Sequence, residues 1–428
     1  THSKSTTGSG SSRSLPGTRS PPARLVLSCP AFPMRSMTVV ASRRALRFAV
    51  FAVLCFAPHP ACGDFTVASI VPISLAFGAH GVDAHDDVAY VVGDGVTAVD
   101  VADVDAPTVL TTLTDPDLRG CTAVAAYTSS RGKRLAVACA GSNAVVVVDA
   151  SAPNGGGLRV LGVVQDDTAL RGVSSVIVRD DTLAFVTAPG VQRVVSLDLS
   201  EENAPRVLSF LALSAAHAVT FAHDSHIAVG AGNSHGGGRV TVIKYTPSGV
   251  MMKVGSIKDG RLGGKFRAVQ TFPAREEFSF AATLANGGNV VLVNATTRAV
   301  PVITVHLQAQ GRAAASASVP SSEEDESDDE NAGWTPNGHR SLAGAVAFAA
   351  AANRIMYVAS AEAGTVVGID ATDLKKPVLA HIVTDPQLRG VSDLCARGGR
   401  AAAAAAAKAS AAGVTGESNE TNTAPSGG

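Results

Sequence analysis

Aromatic side chains are scarce in this chain, at 4% of 428 residues with a single tryptophan, so a core must be built from Val, Ala and Leu. Charge is sparse as well. Charged residues make up 17%, too few for a largely disordered chain or for a nucleic-acid binder held by bulk charge. Acidic residues are missing from 1–63, which carry eight Lys/Arg; the formal net charge of −1 therefore hides a remainder of 27 basic against 36 acidic residues, a net of −9. Long apolar runs are also missing: Phe48–Ala57 falls far short of the roughly 20 residues needed to cross a bilayer. With hydrophobic residues at 46%, the chain can still bury one large core or two medium ones.

Residues 1–63 read as a targeting region. Met34 and Met37 are candidate starts, and from Met37 the order is Arg43, Arg44 and Arg47, the apolar run, a break at Pro58-His59-Pro60, then Ala61-Cys62-Gly63. A charged segment, a short apolar segment and a small-residue site describe a signal peptide over 37–63. The expected location is outside the cell or on its surface, with no stable membrane span after cleavage. An uncleaved signal anchor is one alternative. The other starts from the Ser/Arg-rich, acid-free residues 1–36, which read as a plastid transit peptide directing the chain to a thylakoid lumen. After residue 63 only Cys121, Cys139 and Cys395 remain. Two readings stand for them: a Cys121–Cys139 disulfide, or three buried thiols.

A repeat runs through 79–395. Thr114-Asp115-Pro116-Asp117-Leu118-Arg119-Gly120 recurs as Asp167-Thr168-Ala169-Leu170-Arg171-Gly172 and as Thr384-Asp385-Pro386-Gln387-Leu388-Arg389-Gly390. An apolar run ending in Asp recurs at Asp100, Asp149, Asp198 and Asp370, and a Pro followed by a β-branched run recurs at Pro107, Pro205 and Pro377. Val-rich runs separated by Gly, Pro, Asn and Asp are strands with turns. Alignment on the Arg-Gly element places His80, Arg119, Arg171, His217, Arg267, Gly344 and Arg389 at one position per unit, at intervals of 39 to 52 residues apart from one of 77. The long interval holds a polar, acidic insertion at 308–339. Each unit then has room for four strands, in the third at about 172–178, 182–188, 193–199 and 205–211, which is the signature of a propeller blade.

The unit resembles the LVIVD repeat and overlaps the YVTN type, as in Leu135–Asp149 (LAVACAGSNAVVVVD). The resemblance covers roughly 66–395 and is weaker around 216–305, where Lys244 and Asn294 replace the repeat Asp. It implies an all-β fold, a β-propeller of four-stranded blades over 64–398 on a secreted or surface protein, without a defined activity. Thr66–Val71 reads as a fourth strand and Gly390–Cys395 as a first strand. Seven blades are therefore expected, with the N- and C-terminal segments closing one blade and Ala401–Ala407 standing where its second strand belongs. Residues 399–428 read as an Ala-rich tail.

Among candidate chemistries, the repeat Asp residues sit where a turn needs a carboxylate for backbone N–H groups. Gly232-Asn233-Ser234-His235-Gly236 matches the nucleophile-elbow pattern, but strands on both sides make it a hairpin loop. His217, His223, His226 and His235 gather near Asp224 without paired cysteines, so no metal and no cofactor is expected. Ser321–Glu330 is an acidic loop in which calcium attraction or phosphorylation of Ser322 and Ser327 is conceivable. Asn294 and Asn419 head glycosylation sequons. The main functional expectation is a binding scaffold, monomeric and without assigned catalysis, whose His80, Arg119, Arg171, His217, Arg267 and Arg389 line a basic ring on the propeller axis. Its partner would be a protein, a glycan or a small anionic ligand, not nucleic acid. Pairing of Arg119 with Asp115 and of Arg389 with Asp385 would instead leave no such ring. Two other classes remain: a lactonase-like propeller hydrolase with an axial metal, and a purely structural surface module.

Overall fold

A computed structural model of the chain describes residues 35–42, 49–56 and 66–73, residues 78–258 apart from 104–105, 154–155, 224 and 233–237, and, between 262 and 396, Leu262, the strands and the connections at 361–364 and 385–389. The β-branched runs become strands because their side chains fit a pleated surface, and the Gly, Asp and Pro between them supply the turns. Three strands come first, β1 (Arg35–Ser42), β2 (Ala49–Phe56) and β3 (Thr66–Ile73). Four-stranded antiparallel sheets follow in chain order. They comprise β4 (Gly81–His85), β5 (Val88–Gly93), β6 (Gly95–Asp100) and β7 (Thr108–Leu113); then β8 (Cys121–Ser129), β9 (Gly132–Cys139), β10 (Ala144–Asp149) and β11 (Arg159–Gln165). Next are β12 (Ser175–Arg179), β13 (Leu183–Ala188), β14 (Arg193–Asp198) and β15 (Arg206–Ala212); then β16 (Ala216–His223), β17 (His226–Ala231), β18 (Arg239–Tyr245) and β19 (Met251–Lys258). The last are β20 (Phe266–Pro273), β21 (Phe278–Leu284), β22 (Val290–Asn294) and β23 (Val302–Leu307), and β24 (Ala345–Ala350), β25 (Ile355–Ser360), β26 (Thr365–Asp370) and β27 (Val378–Thr384). The final strand, β28 (Val391–Ala396), joins the first three in the order β28-β1-β2-β3.

The first strand of each sheet lies against that of the next: β4 on β8, β8 on β12, β12 on β16, β16 on β20, β20 on β24, β24 on β28, and β28 back on β4. Sheets whose inner strands close on themselves make a β-propeller. Middle strands such as β10 and β13 are buried along almost their whole length, whereas the outer β15 alternates between exposed and half-buried residues. Each third strand meets its fourth with a register shift at an equivalent place, for example Ala98/Val99, Val147/Val148 and Ser196/Leu197. Such bulges add twist, which an inner-to-outer blade needs.

The expected seven-bladed ring, closed jointly by the terminal segments, needs correction on two points. Among the described residues five packed apolar cores lie between neighbouring sheets, so five packed interfaces rather than seven rest on side chains. The closing sheet also has a different make-up. Residues 66–73 and 391–396 do share a sheet, but they do not touch through hydrogen bonds; β1 and β2 stand between them. Met37 pairs with Ala396 and Cys395 with Thr38, while β2 pairs β3 with its own shift at Val53/Leu54, the place where every third strand has one. The expected second strand, Ala401–Ala407, lies outside the described residues. The physical reason for the misreading is that a middle strand covered on both faces reads as an unbroken apolar run, the same pattern as the apolar segment of a signal peptide. The domain boundary moves accordingly: the compact unit begins at Met34, not at residue 64.

At the junction of this closing sheet with β4, Asp393 on β28 accepts the Val82 N–H at 2.9 Å and the Leu394 N–H at 2.8 Å. Burial, with Asp83 nearby adding repulsion, pushes its carboxyl up to about 7 despite those two donors. A carboxyl raised in the folded state favours folding when protonated, so its contribution is full below its ordinary value near 3.8 and is lost as pH climbs through about 7.

Two measurements follow from this arrangement. A chain starting at Asp64 lacks both middle strands of the closing sheet, β1 and β2, and we expect thermal unfolding that is broader and at lower temperature than that of the full chain. Asp393→Asn should flatten the fall in Tm between about pH 4 and about pH 8; an unchanged slope in the variant would show that Asp393 does not set it.

Candidate functional site

The connections that lead into β8, β12 and β28 share one turn. Asp115 accepts the Asp117 N–H at 2.9 Å, which starts a single turn of 3-10 helix at Pro116–Leu118, with Leu118 fully buried. Asp166 does the same one sheet later, accepting Thr168 N–H and hydroxyl at 2.7 Å each, and those bonds hold its carboxyl below the ordinary value. Pro386–Leu388 repeats the turn ahead of β28. In all three the leucine (Leu118, Leu170, Leu388) plugs the core with no exposed surface, and the arginine that follows it is exposed. The glycine after the arginine has positive φ, 58° at Gly120 and 68° at Gly172, a conformation glycine adopts without strain. Its N–H is taken by the preceding sheet: Gly120 donates to Asp94 at 2.7 Å and Gly172 to Asn143 at 3.0 Å. The connection is thereby pinned at both sides, and the arginine has one direction left to point.

What those arginines bond decides the electrostatics. Arg119 and Arg389 make no side-chain hydrogen bond or ion pair among the described residues, and the carboxylates expected to neutralise them do not. Asp115 is occupied as a cap, and Arg389 uses only its backbone N–H, to Pro386. Arg171 donates through Nη2 and Nε to the Gly190 carbonyl, at 2.9 and 3.3 Å, which leaves its charge uncompensated. His80 is exposed beside the start of β4. His217 is half-buried in β16, its carbonyl accepting the hydroxyls of Ser174 and Thr187. Arg267 falls in β20, and its side chain lies outside the described residues. All six positions therefore share the end of the ring where first strands begin. Three of them, Arg119, Arg171 and Arg389, are arginines without a carboxylate partner among the described residues.

The other candidates settle into structural roles. Asp100, Asp149 and Asp198 each accept the N–H two residues on, from Ala102, Ser151 and Ser200, as turn carboxylates do. Asp149 and Asp198 also hold arginines, Arg134 and Arg159 in the first case and Arg206 in the second. Burial raises Asp149, but Ser151 and the two guanidinium groups outweigh it and the carboxyl lies below its ordinary value. Cys121 and Cys139 face each other across β8 and β9 and are bridged, with Cα atoms 3.7 Å apart; Cys395 is buried and outside any disulfide. Asn294 ends β22. Asn419, the acidic loop Ser321–Glu330, His235 and the Ser234 elbow lie outside the described residues. Among the described residues no three His, Cys, Asp or Glu side chains come together as a metal site would require.

Sequence reasoning missed a buried network around Arg134. Its guanidinium, 5% exposed, meets Asp149 at 2.7 Å and Glu202 at 2.9 Å, and Glu202 accepts the Ser129 hydroxyl at 2.6 Å. This ties the β8–β9 hairpin to the loop after β14. No sequence signal marks it, since Arg134 and Glu202 belong to different repeats.

No protein-family model matches the chain, and no curated protein is similar to it. Solved structures do resemble it. A protein from Lactobacillus plantarum superposes with a TM-score of 0.64 at 11% identity, over 85% of this chain and 99% of that one. A Bacteroides fragilis protein described provisionally as a 6-phosphogluconolactonase gives 0.59 at 12%, over 85% and 98%. The periplasmic gluconolactonase of Pseudomonas aeruginosa gives 0.59 at 13%, over 85% and 99%. At such identities the likeness shows a β-propeller and nothing narrower.

Arg134→Ala orphans Glu202, and breaking a buried ion pair costs about 3–5 kcal/mol. Urea unfolding of this variant should show a loss in that range, with the slope against denaturant unchanged.

Proposed function

We propose that this propeller of LVIVD type is a binding scaffold that takes an anionic ligand, a carboxylate, phosphate or sulfated sugar, on the end of the ring where the first strands begin. The carrying observation is that Arg119 and Arg389 are exposed and, among the described residues, without a carboxylate partner at equivalent turns, on a compact unit from Met34 onward in which acidic residues outnumber basic ones. Capped turns fix the backbone from which these cations project, and several at one opening add their fields. The scaffold is placed outside the cell or on its surface; the Cys121–Cys139 bridge supports an oxidising compartment. Among the described residues no helix is long and apolar enough to cross a membrane.

A second reading, hydrolysis of a sugar lactone, draws on the two neighbours whose descriptions name lactonases. A phosphorylated sugar acid satisfies both readings as a ligand and separates them as a reaction. Calorimetric titration with 6-phosphogluconate should show binding that weakens about tenfold or more in Arg119→Gln/Arg389→Gln, with Tm unchanged. Absence of binding by the parent, or a loss of Tm in the variant, returns the arginines to a structural role. Turnover of gluconolactone would move the reading to the second class.

A further inference from the structure

At the opposite end of the first strands, β4 and β8 bring three side chains into line. Both strands carry matched contacts at the same offset. Asp83 accepts the Ala126 N–H at 2.8 Å, and two residues on along each strand the His85 ring meets the Thr128 hydroxyl, Nε2 to Oγ1, at 2.7 Å. Because side chains alternate along a strand, fixing one such pair fixes the next on that face. The Asp83 bond therefore holds Thr128 against His85. The other ring nitrogen, Nδ1, is buried and makes no hydrogen bond, and Asp86 Oδ2 lies 3.3 Å from it at ion-pair distance. Asp86 sits at φ 54°, which turns its carboxylate back toward the ring, and Lys133 Nζ grips the same oxygen at 2.6 Å. That lysine bond, with His85 adding to it, outweighs partial burial and holds the Asp86 carboxyl below its ordinary value, so it stays a carboxylate. The tautomer that suits the Asp86 carboxylate carries its hydrogen on Nδ1, and in that tautomer Nε2 accepts from the Thr128 hydroxyl. Thr128 itself is exposed.

Hydroxyl, imidazole and carboxylate in this order are the parts of an activated nucleophile. We propose that Thr128 is a nucleophile that accepts an acyl group from an activated ester, with His85 as general base and Asp86 as the positioning residue. Thr128 Oγ1 attacks the ester carbonyl as its proton passes to His85 Nε2; the new C–O bond forms, the bond to the leaving alkoxide or aryloxide breaks, and the proton on Nε2 goes to that leaving oxygen. The product is an acylated Thr128 and a free alcohol. Thr128 lies open at the surface, which points to small activated esters as the acyl donors and to acylation of the protein itself as the event to detect.

The full chain is incubated with p-nitrophenyl acetate, and p-nitrophenolate release is followed together with peptide mass mapping. We expect one acetyl group at Thr128, abolished in Thr128→Ala and retained in Thr128→Ser. Labelling should be slowed about 100-fold or more in His85→Gln, the usual scale for a lost general base. Asp86→Asn keeps a residue tolerant of positive φ and should slow labelling less than His85→Gln does. Tm of each variant checks the fold, and the serine variant keeps the test informative if alanine unfolds the hairpin. Acetyl groups spread over lysines with none at Thr128, or labelling of Thr128 at equal rates in parent and His85→Gln, overturns the proposal and leaves the pair as a strand-to-strand contact.

Discussion

Cyclic packing of the first strands is the constraint on which everything else in this molecule rests. Each of them must present one neighbour on either side, and the last must meet the first, so errors in any sheet accumulate at the junction of β28 with β4. The chain meets that demand with side-chain oxygens that reach across to the next inner strand: Asp393 to Val82, Asp83 to Ala126, and Ser175 to Val219. A carboxylate that accepts a backbone N–H from the neighbouring sheet fixes both the distance and the register along the axis, which apolar packing alone leaves free to slide. The cost is a buried acid at the junction, and Asp393 carries it.

Much of this was legible because the repeat writes its turns in distinctive residues. The third unit expected at about 172–178, 182–188, 193–199 and 205–211 is found at 175–179, 183–188, 193–198 and 206–212. Turn carboxylates such as Asp149 and Asp198 were legible for the same reason, since an Asp at a strand end before a Ser or Ala has a local task. In the closing sheet β3 and β28 were legible, and β1 and β2 between them were not. β-Strand and signal-peptide patterns coincide over Ala49–Phe56, and nothing local states that β1 pairs with β28, whose residues are about 350 positions further along the chain. The Arg134 network and the His85–Thr128 contact escaped for a related reason: both join different repeats, and a repeat alignment compares equivalent positions, not neighbouring ones.

The basic end of the ring shows how a local role and a collective one coexist. Asp115 looks like a counter-ion to Arg119 when the sequence is read along the chain, and Asp166 stands ahead of Arg171 in the next unit. In the fold each aspartate spends its lone pairs on the turn's own N–H groups, and the turn then aims the arginine away from it. A carboxylate engaged with backbone donors still carries its charge, so the arginines are not free of negative neighbours. The field at that end is the sum of pinned cations and pinned anions, and the anion that binds best will be one that reaches the guanidinium groups directly and brings oxygens in the planar pairs that a guanidinium prefers.

First strands have two ends, and the same geometry that gathers arginines at one end sets His85 beside Thr128 at the other. The difference is that the arginines recur with the repeat, whereas the His85–Thr128 contact joins β4 to β8. Asp83 and Asp393 are likewise confined to the sheets on either side of the closing junction. A ring of similar blades thus acquires a polar, sequence-specific sector where its two chain ends meet. A blade position that departs from its repeat carries information the fold does not require, and in this chain those departures cluster around β4, β8 and β28.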